Sequence, residues 1–142
     1  MDIRQVMVIG AGQMGSGIAQ VLAMSGYRVF LHDLKQEYVD KGLTVIRENL
    51  SRQIDKGKLA KEELERIMAH IISSTDLHNA SQVELVIEAA VENMDIKKNL
   101  FIELDRLTAE QTILATNTSA LSITEIASVT KRADKVIGMH FM

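Results

Sequence analysis

The segment Gly10-Ala11-Gly12-Gln13-Met14-Gly15 places its glycines at the spacing GxGxxG. That spacing suits one kind of chemistry, the close approach of backbone amides to a phosphate group. The first glycine permits a tight turn, the second lets the backbone approach a pyrophosphate, and the third lets a following helix pack closely on the preceding strand. Asp33 comes eighteen residues after Gly15. A carboxylate there can accept hydrogen bonds from an adenosine ribose, and its charge would repel a 2′-phosphate. Its plainer use is as the N-cap of a helix that follows directly. Gly10, Gly12, Gln13, Met14, Gly15 and Asp33 are therefore candidate cofactor residues, and they suit NAD better than NADP. FAD uses the same kind of loop, and the loop alone does not separate the two.

The flanks supply the context that the loop requires. Val6-Met7-Val8-Ile9 is a short, continuously apolar run, as expected of a strand buried on both faces of a parallel sheet. Gln13 to Ser25 has helical spacing, with Met14, Ile18, Val21 and Leu22 expected on one face, and Gly26 ends it. Arg28 to His32 reads as a second strand, completing a βαβ unit. Asp33 to Lys56 reads as a long helix with Val39, Leu43, Ile46, Leu50 and Ile54 inward, and Glu62 to His70 as a shorter one. This pair is either a crossover longer than needed or an inserted helical hairpin that touches a ligand. Strands are then expected at residues 71–74, 85–89, 112–115 and 135–139, with helices at Met94 to Leu107 and from near Ser122 to Val129. On the helix at Met94, the side chains of Ile96, Leu100, Phe101 and Leu104 are expected on one face. Alternating strands and helices predict an α/β fold, a Rossmann-like doubly wound parallel sheet with an inserted helical hairpin.

Composition narrows the alternatives. The 142 residues are 46% hydrophobic and 25% charged, with a net charge of −3, as in a globular domain with no nucleic-acid or membrane surface. Only 4% are aromatic, so aliphatic residues and methionine must fill the core. There is no cysteine, which excludes thiol catalysis, cysteine-ligated metal and disulfides. The four histidines, at 32, 70, 78 and 140, show no short-spaced metal-ligand pair, and no metal is expected. The apolar stretch from Val6 is broken by glycines and follows a leader that is not strongly basic, so a cytoplasmic protein is expected.

Longer motifs point to a family. The stretches Val8-Ile9-Gly10-Ala11-Gly12-Gln13-Met14-Gly15-Ser16-Gly17-Ile18-Ala19, Glu88-Ala89-Ala90-Val91-Glu92-Asn93, Thr116-Asn117-Thr118-Ser119 and Gly138-Met139-His140-Phe141 resemble those of the 3-hydroxyacyl-CoA dehydrogenase family, including its 3-hydroxybutyryl-CoA type. The last two are the more specific. Relatives of the 3-hydroxyisobutyrate and 6-phosphogluconate type resemble the chain only around Gly10 to Gly15. The resemblance implies NAD-dependent oxidation of an L-3-hydroxyacyl-CoA to the 3-ketoacyl-CoA in fatty acid metabolism. By the same resemblance His140 is the acid/base residue, and an imidazole changes charge near neutral pH, as that role needs. Ser119 matches the serine that contacts the substrate C3 oxygen, and Asn117 the residue on the nicotinamide side of the cofactor. Glu92 and Lys97 match positions beside the nicotinamide ribose and carboxamide, although charged residues are also expected where a helix begins. Lys56 and Asn49 match positions that touch CoA, and a lysine is in any case favourable at a helix C-terminus.

Residues 1–142 are expected to form one NAD-binding domain. Family members continue past the histidine with a Phe-Asn-Pro segment, a glutamate that orients the histidine and an all-helical domain. That domain carries a substrate-binding asparagine and most of a dimer interface. The sequence stops at Met142, so it is expected to bind NAD while turning over little acyl-CoA by itself. The expected partners are an acyl-CoA and either another copy of the chain or a complementary helical domain. A stand-alone NAD-binding module is the alternative.

Overall fold

The computed structural model describes residues 2–89 and 93–140. It contains a six-stranded sheet in the order β3-β2-β1-β4-β5-β6, with every neighbouring pair parallel. The strands are β1 (Gln5–Ile9), β2 (Arg28–His32), β3 (Ile71–Ser74), β4 (Leu85–Glu88), β5 (Ile113–Thr116) and β6 (Val136–Gly138). The helices are α1 (Gln13–Met24), α2 (Gln36–Asp55), α3 (Glu63–Ala69), α4 (Met94–Leu107) and α5 (Ala120–Ala127). Strand order reverses between β1 and β4, which both end at the same edge of the sheet.

Side chains alternate across a strand, so each strand feeds two cores. Val6 and Val8 face one way and meet Ile18 and Ala23 of α1, Ile46 and Leu50 of α2, and Ile67 of α3. Met7 and Ile9 face the other way and meet Phe101 and Leu104 of α4 and Ile126 of α5. This is why the apolar run of β1 is continuous rather than alternating. At about 25 cal/mol per Å2 of buried apolar area, these two layers are the main driving force of folding.

Two polar latches hold the second layer. The buried Arg132 donates from Nε to Asp105 Oδ1 at 2.7 Å and from Nη1 to the carbonyls of Ala109 at 2.7 Å and Thr112 at 2.9 Å. It thereby ties the end of α4 to the approach to β6. Lys97 Nζ lies 3.0 Å from Glu88 Oε1, and Thr116 Oγ1 donates to the same oxygen at 2.7 Å, joining α4, β4 and β5.

The element order agrees with the sequence reading, with differences at boundaries and faces. α2 begins at Gln36, not Asp33, because Lys35 is extended and occupies the N-cap position. α5 begins at Ala120, with Ser119 as N-cap accepting from Ser122 N. A 3-10 helix at Leu77–Gln82, unanticipated from sequence, starts where the Asp76 side chain accepts from His78 N. Met14 and Val21 were expected inward, yet they are 42% and 58% exposed. Ile18 is buried as expected, and beside it α1 buries Gly15, Ala19 and Ala23, small residues that let its axis lie close to the sheet. Ile96 likewise faces outward, while Phe101 and Leu104 of α4 are buried. No helix among the described residues is long and apolar enough to cross a membrane.

Candidate functional site

The glycine loop, Asp33, Asn117, Ser119 and His140 lie beyond the carboxyl ends of the strands, where β1 and β4 lie side by side at the reversal of strand order. Open α/β sheets form their ligand crevice at such a point. Gly10 follows β1 with φ 109°, a conformation that favours glycine, and its N–H donates to His32 O at 2.8 Å. α1 then starts at Gln13 with no side-chain cap and no acidic residue in its first turn. The amides and partial positive charge of its N-terminus are left for an anion. A Cβ added at Gly12 would meet nothing within 4 Å, so the loop is open on that side. A Cβ at Gly15 would lie 1.6 Å from Gly10 O, so α1 packs on the loop as only glycine allows.

Asp33 is bonded to the loop and does not cap a helix. Its Oδ2 accepts from Ala11 N at 2.8 Å and its Oδ1 from Leu34 N at 2.7 Å. Two backbone bonds fix the carboxylate while further lone pairs stay open to ribose hydroxyls. A cleft of about 630 Å3 passes this carboxylate, lined by Gly10, Gly12, Gln13, Met14, Asp33 and Leu77 among others. The open Gly12, the uncapped helix and the fixed carboxylate beside one cleft fit the pyrophosphate and ribose of a dinucleotide.

His32 also lines this cleft, a residue that sequence reasoning did not assign to the site. The strand register could have shown it, since the residue before Asp33 ends the same strand. It is buried, with Nδ1 3.0 Å from Ser74 Oγ. Burial pushes its imidazole below the ordinary value of 6.5, while the nearby Asp33 and Asp76 pull the other way. The folded state thus resists a proton that the unfolded chain accepts. The stability this contributes is present above the unfolded value and is lost as pH falls from about 6.5 through the lowered folded value. His32→Gln should therefore show a shallower fall in melting temperature between about pH 7 and pH 5 than the unaltered chain. Equal slopes would remove His32 from the acid response.

The remaining candidates lie on the other side of the reversal. Asn117 follows β5 and donates from Nδ2 to Met14 Sδ at 2.9 Å, closing the gap between the β5–α5 loop and α1. β6 continues the pairing, with Met139 N donating to Thr116 O at 3.0 Å. Ser119 and His140 therefore follow adjacent parallel strands at the same sheet end, and both are exposed. Ser119 Oγ is 3.1 Å from Ser122 Oγ, so its capping role and its exposure coexist. Lys97 is buried, with its ammonium paired to Glu88 at the end of β4. Glu92 lies outside the described residues.

On the CoA side, Asn49 and Lys56 part company. Asn49 lines a groove of about 580 Å3 between α1 and α2, together with Lys41, Arg52, Gly12 and Gln13. Its Nδ2 donates to Gln20 Oε1 at 3.3 Å. Lys56 is the exposed C-cap residue of α2 and does not line that groove, whereas the cationic Arg52, one helical turn earlier, does. Sequence reasoning missed Lys41 and Arg52. Their signal was present in the helical spacing of residues 41, 45, 49 and 52 on one face of α2.

Comparison with known proteins places this geometry in a family. The description "3-hydroxyacyl-CoA dehydrogenase, NAD binding domain" matches residues 5–142. The 3-hydroxybutyryl-CoA dehydrogenase of Clostridioides difficile is 52% identical over 134 residues, covering 94% of this chain and 48% of that protein. A probable 3-hydroxybutyryl-CoA dehydrogenase of Bacillus subtilis is 48% identical, covering 100% and 50%. The crystal structure of (S)-3-hydroxybutyryl-CoA dehydrogenase from Ralstonia eutropha superposes with a TM-score of 0.95 at 42% identity, covering 99% of this chain and 50% of that one. The chain spans about half the length of the curated relatives it matches. With NAD as the cofactor of that family's domain and a loop whose geometry fits it, this chain belongs to the NAD-binding domain family of the 3-hydroxyacyl-CoA dehydrogenases.

Proposed function

We propose that residues 1–142 form the cofactor-binding domain of an enzyme that interconverts an L-3-hydroxyacyl-CoA and its 3-ketoacyl-CoA, acting on short acyl groups such as 3-hydroxybutyryl. The observation that carries this reading is the placement of Ser119 and His140 after adjacent parallel strands, at the sheet end that also holds the glycine loop. NAD, when bound, supplies a hydride acceptor. Gly12, Gln13 and Met14 hold its pyrophosphate through backbone amides, Gly10 and Gly15 give the loop its shape, and Asp33 holds its adenosine ribose. Asn117 and Glu92 serve the nicotinamide end. Lys97, held by Glu88, serves the same end beside the nicotinamide ribose and carboxamide.

His140 takes the proton of the C3 hydroxyl as the hydride departs, and returns it in the reverse direction. Ser119 donates a hydrogen bond to the same oxygen and stabilises charge there. Asn49 contacts CoA in the groove between α1 and α2, with Lys56 at the end of that helix. We further propose that a complementary helical domain, or another copy of the chain, is the partner of this domain. A cytoplasmic setting belongs to the same reading, and the cysteine-free sequence is compatible with a reducing compartment.

The test is to mix the chain with acetoacetyl-CoA and NADH, follow NADH absorbance, and measure NAD binding by calorimetry alongside. The reading predicts NAD binding with slow or absent turnover, and loss of any turnover in His140→Ala. Turnover that survives His140→Ala would overturn the assignment of the base. Asp33→Ser removes both the ribose acceptor and the charge that repels a 2′-phosphate. It should narrow the preference for NAD over NADP by roughly ten- to a hundredfold, the worth of one charged hydrogen bond. An unchanged ratio of dissociation constants would count against the ribose role.

A further inference from the structure

Gly42 lies inside α2, where a glycine weakens a helix relative to alanine, and it is buried. Its surroundings explain why a weaker helix former stands there. A Cβ at this position would lie 2.8 Å from Ala11 O, 2.8 Å from Ser16 Oγ and 3.2 Å from Ala11 Cβ. α2 is thus pressed against the second residue of the cofactor loop. Ser16 Oγ donates to the same Ala11 carbonyl at 2.9 Å, and Ala11 N donates to Asp33 Oδ2 at 2.8 Å. The Ala11 peptide is therefore held at both ends, its N–H by Asp33 and its C=O by Ser16, with Gly42 closing the space behind it.

We propose that Gly42 is a positioning residue for the cofactor loop, acting with Ser16 through the Ala11 peptide to set where the amides of Gly12 and Gln13 point. The inference rests on NAD binding at the loop. Its consequence is that α2, which also lines the groove with Asn49 and Arg52, shares one packed seam with the pyrophosphate site. An added methyl at residue 42 has backbone to push against, so the loop must move with it. The displacement falls most directly on the amides facing the pyrophosphate; Asp33 shares the bond from Ala11 N but is also fixed by Leu34 N, so the adenosine end moves less.

The experiment compares dissociation constants for NAD, ADP-ribose and adenosine in the unaltered chain, Gly42→Ala, Ser16→Ala and the control Gly17→Ala. The control adds a carbon to α1 that meets nothing within 4 Å. Gly42→Ala should weaken NAD and ADP-ribose about tenfold or more while adenosine stays within about threefold, and Gly17→Ala should match the unaltered chain. Ser16→Ala adds no atoms, and should weaken the two pyrophosphate ligands several-fold with adenosine unchanged. A folded Gly42→Ala with unaltered NAD affinity, or one that loses adenosine equally, overturns the proposal. Should Gly42→Ala fail to fold, unchanged NAD affinity in Ser16→Ala overturns it. Failure of the unaltered chain to bind NAD would instead overturn the cofactor reading, and this inference with it.

Discussion

Gly15→Ala is expected to raise the dissociation constant for NAD by about 100-fold or more, equivalent to roughly 2.7 kcal/mol. The added Cβ would sit 1.6 Å from Gly10 O and 2.7 Å from Gly10 C, both backbone atoms. No rotamer change relieves such a contact. Either α1 moves away from the end of β1 or the Gly10 turn opens. In both cases the helix N-terminus, its free amides and its partial charge leave the line of the cleft. Overpacking of this kind also destabilises the fold, typically by about 1–3 kcal/mol. Calorimetry with NAD, on protein shown by circular dichroism to be folded, checks it. Binding within threefold of the unaltered chain would mean that the loop does not carry the pyrophosphate.

Arg132→Met is expected to lower folding stability by about 3–5 kcal/mol, the usual consequence of breaking a buried ion pair on one side. Asp105 would keep the hydrogen bond from Lys131 N but lose its guanidinium partner, at a position where its side chain is 12% exposed. The carbonyls of Ala109 and Thr112 would lose the donor that Arg132 Nη1 provides. For a domain of this size the melting temperature should fall by roughly 10–15 °C. Urea denaturation measures the change. A loss below about 1 kcal/mol would show that solvent replaces the guanidinium and that the latch between α4 and β6 is dispensable.

Sequence and structure differ in instructive places. The glycine loop and Asp33 were legible because their chemistry lies in local spacing, flanked by an apolar strand and a helical period. The parallel sheet followed from the alternation of elements, and its strand order is the one expected of a doubly wound fold. The inward face of α1 was misread because apolar periodicity weights Met14 and Val21 above glycine and alanine. The helix instead buries its small residues to approach the sheet. Asp33 has the residue type of an N-cap, yet its carboxylate accepts from Ala11 N and Leu34 N, and the next helix starts later. The ion pair of Lys97 with Glu88 joins residues nine apart across a helix and a strand, and the charge pattern at the start of a helix does not announce it. The His32–Ser74 pair, the Arg132 latch and the seam at Gly42 depend on residues far apart in sequence, and no local spacing announces them. Ser119 and His140 carry no periodic signal, and only the wider motif resemblance singled them out.

We propose that the loop at Gly10 to Gly15 and the carboxylate of Asp33 together form the NAD site. Its most direct test is calorimetric titration of the folded chain with NAD and, separately, with NADP. The structure predicts saturable binding of one NAD per chain, with NADP at least about tenfold weaker because its 2′-phosphate meets the Asp33 carboxylate. No saturable binding of NAD, or equal affinity for the two nucleotides, would contradict it.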